Sequence, residues 1–406
     1  MEKKQNVPAL RFQGFSGEWK RQKFGEVATF INGRAYAQSE LLSAGKYKVL
    51  RVGNFYTNST WYYSNLELSD KYYANRGDLL YTWSATFGPH IWDGDKVIYH
   101  YHIWKIEVKE QLEKLFFLQL LERDKKNLLN DTNGSTMVHI TKLGMENKTD
   151  FIPNNIDEQS KIGQFCSQIN CKIEKEKRKI QKLQQFRQAM LAKLFPREGA
   201  AEPELRFRGF SGKWRIRTLA KCAALHARIG WQNLRKSEFL TKGDYYLITG
   251  TDFVDGQIEW RTCHYVSKLR YDQDKNIQVQ NGDILVTKDG TLGKVAYVDG
   301  ADKPATLNAG VFNVKINVND VDAKYLYQYL KGPYLMDYVN QRATGGTIKH
   351  LNQNILVDFP VVMPSFEEQK IIGDFFYRLD RYISLQQKKL ERMQRLKAAL
   401  LEKLFV

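Results

Sequence analysis

A stretch near the start of the chain returns in its middle. Pro8-Ala9-Leu10-Arg11-Phe12-Gln13-Gly14-Phe15-Ser16-Gly17-Glu18-Trp19 recurs as Pro203-Glu204-Leu205-Arg206-Phe207-Arg208-Gly209-Phe210-Ser211-Gly212-Lys213-Trp214, 195 residues later. Gly77-Asp78-Leu79-Leu80-Tyr81-Thr82 recurs as Gly282-Asp283-Ile284-Leu285-Val286-Thr287, and Gln159 to Phe165 as Gln369 to Phe375. Both halves close on Lys-Leu-Phe, at 193–195 and 403–405. This is a tandem duplication with small insertions, not a short-period solenoid. Two like units in one chain can stand in pseudo-two-fold relation, which suits them to a two-fold object such as duplex DNA.

With 406 residues, each half is long enough for its own core. A hydrophobic share of 43% excludes a disordered chain. The formal net charge of +17 favours a polyanionic partner, nucleic acid first. Cys166, Cys171, Cys222 and Cys263 form no C-x-x-C pair or zinc-finger spacing. The opening residues lack the apolar core of a signal peptide, and no apolar run is long enough to span a membrane. The expected setting is a reduced cytoplasm.

Two long helices are predicted. The first, Asp157 to Phe195, carries Ile162, Phe165, Ile169, Ile173, Ile180, Leu183, Met190 and Leu194 at alternating steps of three and four, a heptad seam interrupted by Glu176 and Arg187. The second, Phe366 to Phe405, repeats the stripe with Ile372, Phe376, Leu379, Ile383, Leu390, Met393, Leu400 and Leu404, and Gln386 falls where Glu176 did. Asn155 is a competent N-cap for the first, and Ser365 with Glu368 reads as a capping box for the second. Pro196 stops the first helix, and residues 197–203 read as an exposed linker. Heptads on both segments predict antiparallel pairing. The basic run Lys172 to Lys182 reads as a solvated face.

The regions before each helix alternate short β-type runs, such as Ile103–Val108 and Val311–Ile316, with glycine turns. Leu112 to Leu129 and Ala323 to Val339 read as helices. The fold class is therefore α+β, with two similar mixed domains each followed by a long helix. The expected boundaries are 1–150, 151–197 (first long helix), 198–362 (linker and second domain) and 363–406 (second long helix).

Catalytic motifs are missing. No Pro-Pro pair supplies the core of an amino-methyltransferase motif, and there is neither a G-x-x-x-x-G-K-[ST] loop nor a G-x-S-x-G elbow. Gly290 to Val295 has the wrong spacing for a phosphate loop. His100 and His102 alternate on a predicted strand without a carboxylate or cysteine set to complete a metal site. Asp95 with Glu107-Val108-Lys109 matches a loose nuclease pattern that an exposed strand also produces by chance.

The residues that could read DNA lie at predicted loops and strand ends. In the first half they are Arg34, Tyr36, Arg51, Asn54, Tyr81, Trp83, Ser84, Thr136 and His139. In the second they are Arg228, Trp231, Gln232, Thr251, Asp252, Thr287, Lys288, Asp289, Lys349 and His350. Arginine and lysine suit guanine, asparagine and glutamine suit adenine, and aspartate can accept from cytosine. The halves share framework residues but differ at tips: Arg51 against Thr249, Asn54 against Asp252, Trp83 against Lys288.

Pro153 with Asp157-Glu158-Gln159, Pro364 with Glu367-Glu368-Gln369, the two Leu-Arg-Phe-x-Gly-Phe openings, the two Gly-Asp-(Leu/Ile)-Leu strands and the Gly134-Ser135-Thr136 and Gly345-Gly346-Thr347 loops together resemble the specificity subunit of type I restriction–modification systems. The resemblance spans essentially the whole chain. It implies two target-recognition domains, each reading half of a split, asymmetric site in double-stranded DNA across an unread spacer, held apart by the paired helices. It also implies separate modification (methyltransferase) subunits, two of them, and restriction/translocase subunits. S-adenosylmethionine, ATP and Mg²⁺ would then be bound by those partners, with no cofactor or catalytic residue on this chain. The alternatives are a duplicated stand-alone DNA-binding regulator, a coiled-coil protein scaffold, and a single-chain nuclease or methyltransferase, the last opposed by the missing motifs.

Overall fold

Each long helix begins where a side chain caps it. In the structure, a computed structural model that describes residues 6–56, 58–84, 86–131, 140–197, 199–342 and 351–406, they run over Ile156–Leu194 and Phe366–Leu404. Asn155 Oδ1 accepts the amides of Asp157 and Glu158 at 2.8 and 3.2 Å. Ser365 Oγ accepts the amide of Glu368 at 3.4 Å.

The expected return half of that capping box is replaced by a longer-range bond. Glu368 is fully buried, and Arg206 grips its carboxylate with Nε and Nη2, both at 2.7 Å. Arg11 holds Glu158 in the same way at 2.7 and 2.8 Å. Each arginine also donates to two carbonyls of its own opening turn, Ser16 and Gly17 or Ser211 and Gly212. The next residue completes the latch. Gln159 donates to the carbonyls of Gln111 and Pro153 and accepts the amide of Glu113; Gln369 donates to Asp320 and Pro364 and accepts the amide of Asp322. The motifs that betray the duplication in the sequence are thus the fasteners of the fold.

The chain divides into two compact units, Met1–Lys177 with Leu390–Val406, and Arg178–Lys389. The division falls inside the long helices rather than at their ends, where the sequence places domain boundaries, because each core takes in part of both helices. In the first unit Ile162, Phe165 and Cys166 share a core with Leu400, Leu401, Leu404 and Phe405. In the second, Ile372, Phe375 and Phe376 pack with Met190, Leu191, Leu194 and Phe195. The start of one helix lies beside the end of the other in both units, which is the antiparallel pairing expected from the heptads. Phe405 stacks on Phe116 at 5.5 Å and meets Trp19 edge-on; Phe195 meets Tyr325 at 5.4 Å and Trp214 edge-on.

Glycine permits the close approach of each helix to its domain. A Cβ at Gly163 would lie 2.6 Å from the amide nitrogen of Phe116, and one at Gly373 would lie 2.6 Å from that of Tyr325. Both helices bury their seam, including Ile173, Ile180 and Ile383, while the basic side chains from Lys172 to Lys182 are exposed.

Among the described residues, the first unit holds an antiparallel sheet in the order Ala28–Asn32, Ile103–Val108, Leu79–Thr82, Gly88–Ile91. A second sheet has the order Tyr62–Ser64, Tyr47–Leu50, Val97–Tyr99, Tyr73–Ala74, with Tyr47–Leu50 parallel to Val97–Tyr99. The second unit repeats this plan. Ala223–Ala227, Val311–Ile316, Ile284–Thr287 and Val295–Tyr297 match the first sheet, which is extended by the hairpin Phe253–Val254/Gln257–Ile258. His264–Val266, Tyr245–Ile248, Ala305–Leu307 and Gln278–Val279 match the second.

The repeated Gly-Asp turn sets up the central strands. Gly77 and Gly282 have φ of 94° and 98°, which favours glycine, and Asp78 and Asp283 accept the amides of Asn75 and Gln280.

Two sequence expectations need correction. Ala323 to Val339 is two helices, Ala323–Lys331 and Pro333–Gln341, because Pro333 has no amide proton to continue the first. His100 and His102 are not on a strand: residues 100–102 turn the chain between Val97–Tyr99 and Ile103–Val108, closed by the Ile103 amide on the His100 carbonyl at 3.0 Å.

Candidate nucleic-acid interface

Backbone bonds gather four separated segments of the first unit at one edge. The amide of His100 donates to Leu50 at 2.9 Å, that of Arg34 to Tyr99 at 3.1 Å, that of Tyr101 to Arg34 at 3.0 Å and that of Trp83 to His102 at 3.1 Å. Residues 33–36, 51–56, 83–84 and 100–102 therefore form one tip. The second unit makes the same frame: the Asn308 amide donates to Ile248 and the Lys288 amide to Gly310, both at 2.9 Å. Its tip is built from Thr249, Lys288 and the turn Asn308-Ala309-Gly310.

The candidates from the sequence divide by what already holds them. Arg34 is half-buried and paired with Glu40 through both terminal nitrogens, at 2.9 and 2.7 Å, and lies 5.0 Å over the Tyr36 ring. That pairing holds the Glu40 carboxyl below the usual carboxylate range. Tyr36 is half-buried with a hydroxyl that has no partner, and burial raises its phenol pKa. Arg51 is half-buried, lies 4.2 Å over the Tyr62 ring, and its Nε has no partner. Trp83 is half-buried and donates Nε1 to the Tyr101 carbonyl at 2.9 Å; Ser84 stands half-buried beside it.

Several candidates are turned inward. Tyr81 is fully buried against Trp104, at 5.8 Å. Asn54 accepts the Arg51 amide at 3.0 Å and donates to the carbonyls of Asn58 and Thr60. Asp252, buried, accepts the Thr249 amide at 2.8 Å and the hydroxyls of Thr249 and Thr262 at 2.9 Å. Asn54 and Asp252 thus close the same turn in the two units. Arg228 is 2% exposed and donates to the carbonyls of Leu307 and Gln232 and to Thr306 Oγ1. Burial lowers its pKa. Gln232 and Thr287 are buried, and the Thr287 hydroxyl bonds the Thr291 carbonyl and the Lys294 amide. These groups brace loops.

Lys288 is half-buried with Nζ 5.5 Å over the Phe312 ring, and Asp289 beside it is also half-buried. Thr251 is exposed and shares a hydrogen bond with Thr249 at 2.6 Å. Thr136, His139, Lys349 and His350, with the Gly134 to Thr136 and Gly345 to Thr347 loops, lie outside the described residues, as does the side chain of Trp231.

The tip also contains residues that the sequence list omits. Tyr101 is 39% exposed, and the rings of His100, Tyr101 and His102 lie within 5 Å of one another, at 4.4, 4.9 and 3.9 Å. Burial pushes His100 down to about 4, aided by neighbouring His102 and Arg51, and lowers His102 as well. The signal was available as a His-Tyr-His triplet between two apolar runs, but alternation suggested a strand. Among the described residues no group of histidine, cysteine and carboxylate side chains is placed to hold a metal ion. Lys109 of the loose nuclease pattern donates to the carbonyls of Gly25 and Glu26.

The structure is a duplicated α+β domain, latched to long helices, whose tips carry different side chains in the two units, and the class this defines is given by its family match. The family model described as "Type I restriction modification DNA specificity domain" matches residues 16–185 and again 229–395. The chain belongs to that family and carries two copies of its domain.

Among curated relatives, the MjaVIII specificity subunit of Methanocaldococcus jannaschii is 22% identical over 334 residues, covering 80% of this chain and 77% of the relative. The EcoBI specificity subunit of Escherichia coli is 22% identical over 411 residues, covering 95% and 85%. A solved S subunit from M. genitalium shares the fold, with a TM-score of 0.69 at 17% identity over 98% of this chain and 99% of that one.

Proposed function

We propose that this chain is the DNA-reading, non-catalytic subunit of a type I restriction–modification assembly. Each domain reads one half of a bipartite, asymmetric site in double-stranded DNA. Two modification subunits and the restriction/translocase subunits dock on the chain and supply the chemistry, with S-adenosylmethionine, ATP and Mg²⁺ bound on those partners.

The observation that carries this reading is the contrast within one frame. The same backbone bonds present Arg51, Trp83 and His100 to His102 in one unit, and Thr249, Lys288 and Asn308 to Gly310 in the other. Side chains at groove-facing tips specify bases, whereas phosphate contacts only position the protein. Unlike tips on like frames therefore read unlike sequences. The net charge of +17 supports the backbone component of binding.

The test is the methylation pattern of DNA from cells carrying this chain with its modification subunits. Two unlike half-sites separated by unread bases are expected. A continuous palindrome overturns the reading. Purification of the chain without any methyltransferase subunit would favour a stand-alone regulator.

A further inference from the structure

We propose that the turn His100-Tyr101-His102, seated on Trp83, determines specificity in the first half-site by touching base edges with its rings. This inference rests on the DNA-reading function proposed above and names the element that does the reading in one unit.

The first argument is that the fold does not require rings at this place. The second unit builds the matching turn from Asn308, Ala309 and Gly310, and it makes the corresponding backbone bonds, Asn308 to Ile248 and Lys288 to Gly310, at 2.9 Å each. The same frame therefore closes with no aromatic side chain. In the first unit the turn carries three rings, and Tyr101 keeps 39% of its surface exposed.

The second argument is rigidity. Trp83 lies parallel to Trp104 at 5.8 Å, and Trp104 lies parallel to buried Tyr81 at 5.8 Å. This column runs from the core to the tip. Trp83 is fixed to the turn by its indole and by its backbone amide, at 2.9 and 3.1 Å, and meets the His102 ring edge-on at 5.0 Å. A reading element held in one geometry discriminates between bases better than a mobile one.

The third argument is chemical. Both imidazoles are uncharged at neutral pH; His100 Nδ1 accepts the His102 amide at 3.5 Å, which leaves its Nε2 as a donor, and neither ring is a phosphate-seeking cation. Uncharged rings suit base edges, including the thymine methyl group, and leave phosphate contact to cations elsewhere on the chain.

The experiment uses the full chain with its modification subunits in cells, and the same complex in DNA-binding titrations over a range of salt. Tyr101→Ala and His102→Ala should each lower discrimination at one or more positions of one half-site by about tenfold, and leave the other half-site unchanged. The slope of log affinity against log salt should not change, because no charge is removed, whereas Lys175→Ala on the helix should reduce it by about one.

As a second variant, His100→Asn, Tyr101→Ala and His102→Gly together install the turn that the second unit already accommodates, and folding is checked by thermal denaturation. An unchanged methylation pattern in the folded triple variant overturns the inference, as does equal loss at both half-sites. If the unaltered chain directs no sequence-selective methylation, it is the proposed function that falls, and the inference with it.

Discussion

The latches of the two units match almost atom for atom, whereas their tips share a backbone frame and differ in side chains. Arg11 on Glu158 and Arg206 on Glu368 use the same nitrogens at 2.7 to 2.8 Å, and Gln159 and Gln369 make equivalent bonds. At the tips Trp83 faces Lys288 in the alignment, and a turn of three rings faces Asn-Ala-Gly. Duplication started both regions from one sequence. The buried ion pair resisted change because losing either partner strands a charge out of water. The tips can differ because the main-chain bonds of their frame form with either set of side chains.

The comparison breaks most easily at the latches. Arg11→Ala and Arg206→Ala each leave a carboxylate that is 1% and 0% exposed without its partner, and each should cost about 3–5 kcal/mol. Site-resolved amide exchange on the whole chain should show equal losses, each in its own unit; unequal losses would mean that the two latches are alike in geometry only. Gly163→Ala and Gly373→Ala should follow at about 2–3 kcal/mol each, since the new methyl meets backbone rather than a yielding side chain. Denaturant midpoints would measure this, and tolerance at one site alone would separate the units.

The pH dependence should distinguish the units in the other direction. Burial holds His90 and His100 near 4, with Lys125 adding to the effect at His90 and with His102 and Arg51 adding to it at His100. Unfolding restores them to about 6.5, so the unfolded chain takes up protons first. Their contribution is complete above pH 6.5 and is lost as the pH falls through the window from 6.5 to about 4. After allowance for their partial exposure this amounts to roughly 2 kcal/mol in the first unit. The aligned positions of the second unit hold Ala296 and Asn308. Amide exchange across this pH range should show the acid loss at strands Gly88–Ile91 and Val97–Tyr99; its absence in the double variant His90→Gln, His100→Asn would confirm the cause.

The smallest effect belongs to the tip. Arg51→Ala should relax one base position by about 1–2 kcal/mol, and Lys175→Ala on the helix should weaken binding to all sequences alike. Competition titrations with altered half-sites distinguish the two.

Local signals made the long helices legible to within one residue, since caps and heptads act over a few positions. They failed where a distant partner competed. Nothing near Glu368 reveals that Arg206, 162 residues away, takes its carboxylate from the capping box. Pro333 was visible, but the apolar stripe runs through it and hid the break. At the site, Arg51, Trp83 and Lys288 stand at the tips as the sequence suggested. Asn54, Asp252, Arg228 and Thr287 look like readers in sequence because the groups that recognise bases are the same groups that close turns, and only burial separates the two uses.

The latches bear on how such a protein changes its target over generations. The buried arginine–glutamate pair that joins each opening segment to its helix start is made by residues outside the tip. A foreign domain arriving by recombination between the repeated openings and the repeated Glu-Gln helix starts would find the arginine–glutamate half of its latch already in place. New specificity then requires no new ion pair, because the pair that holds the domain stays with the recipient chain.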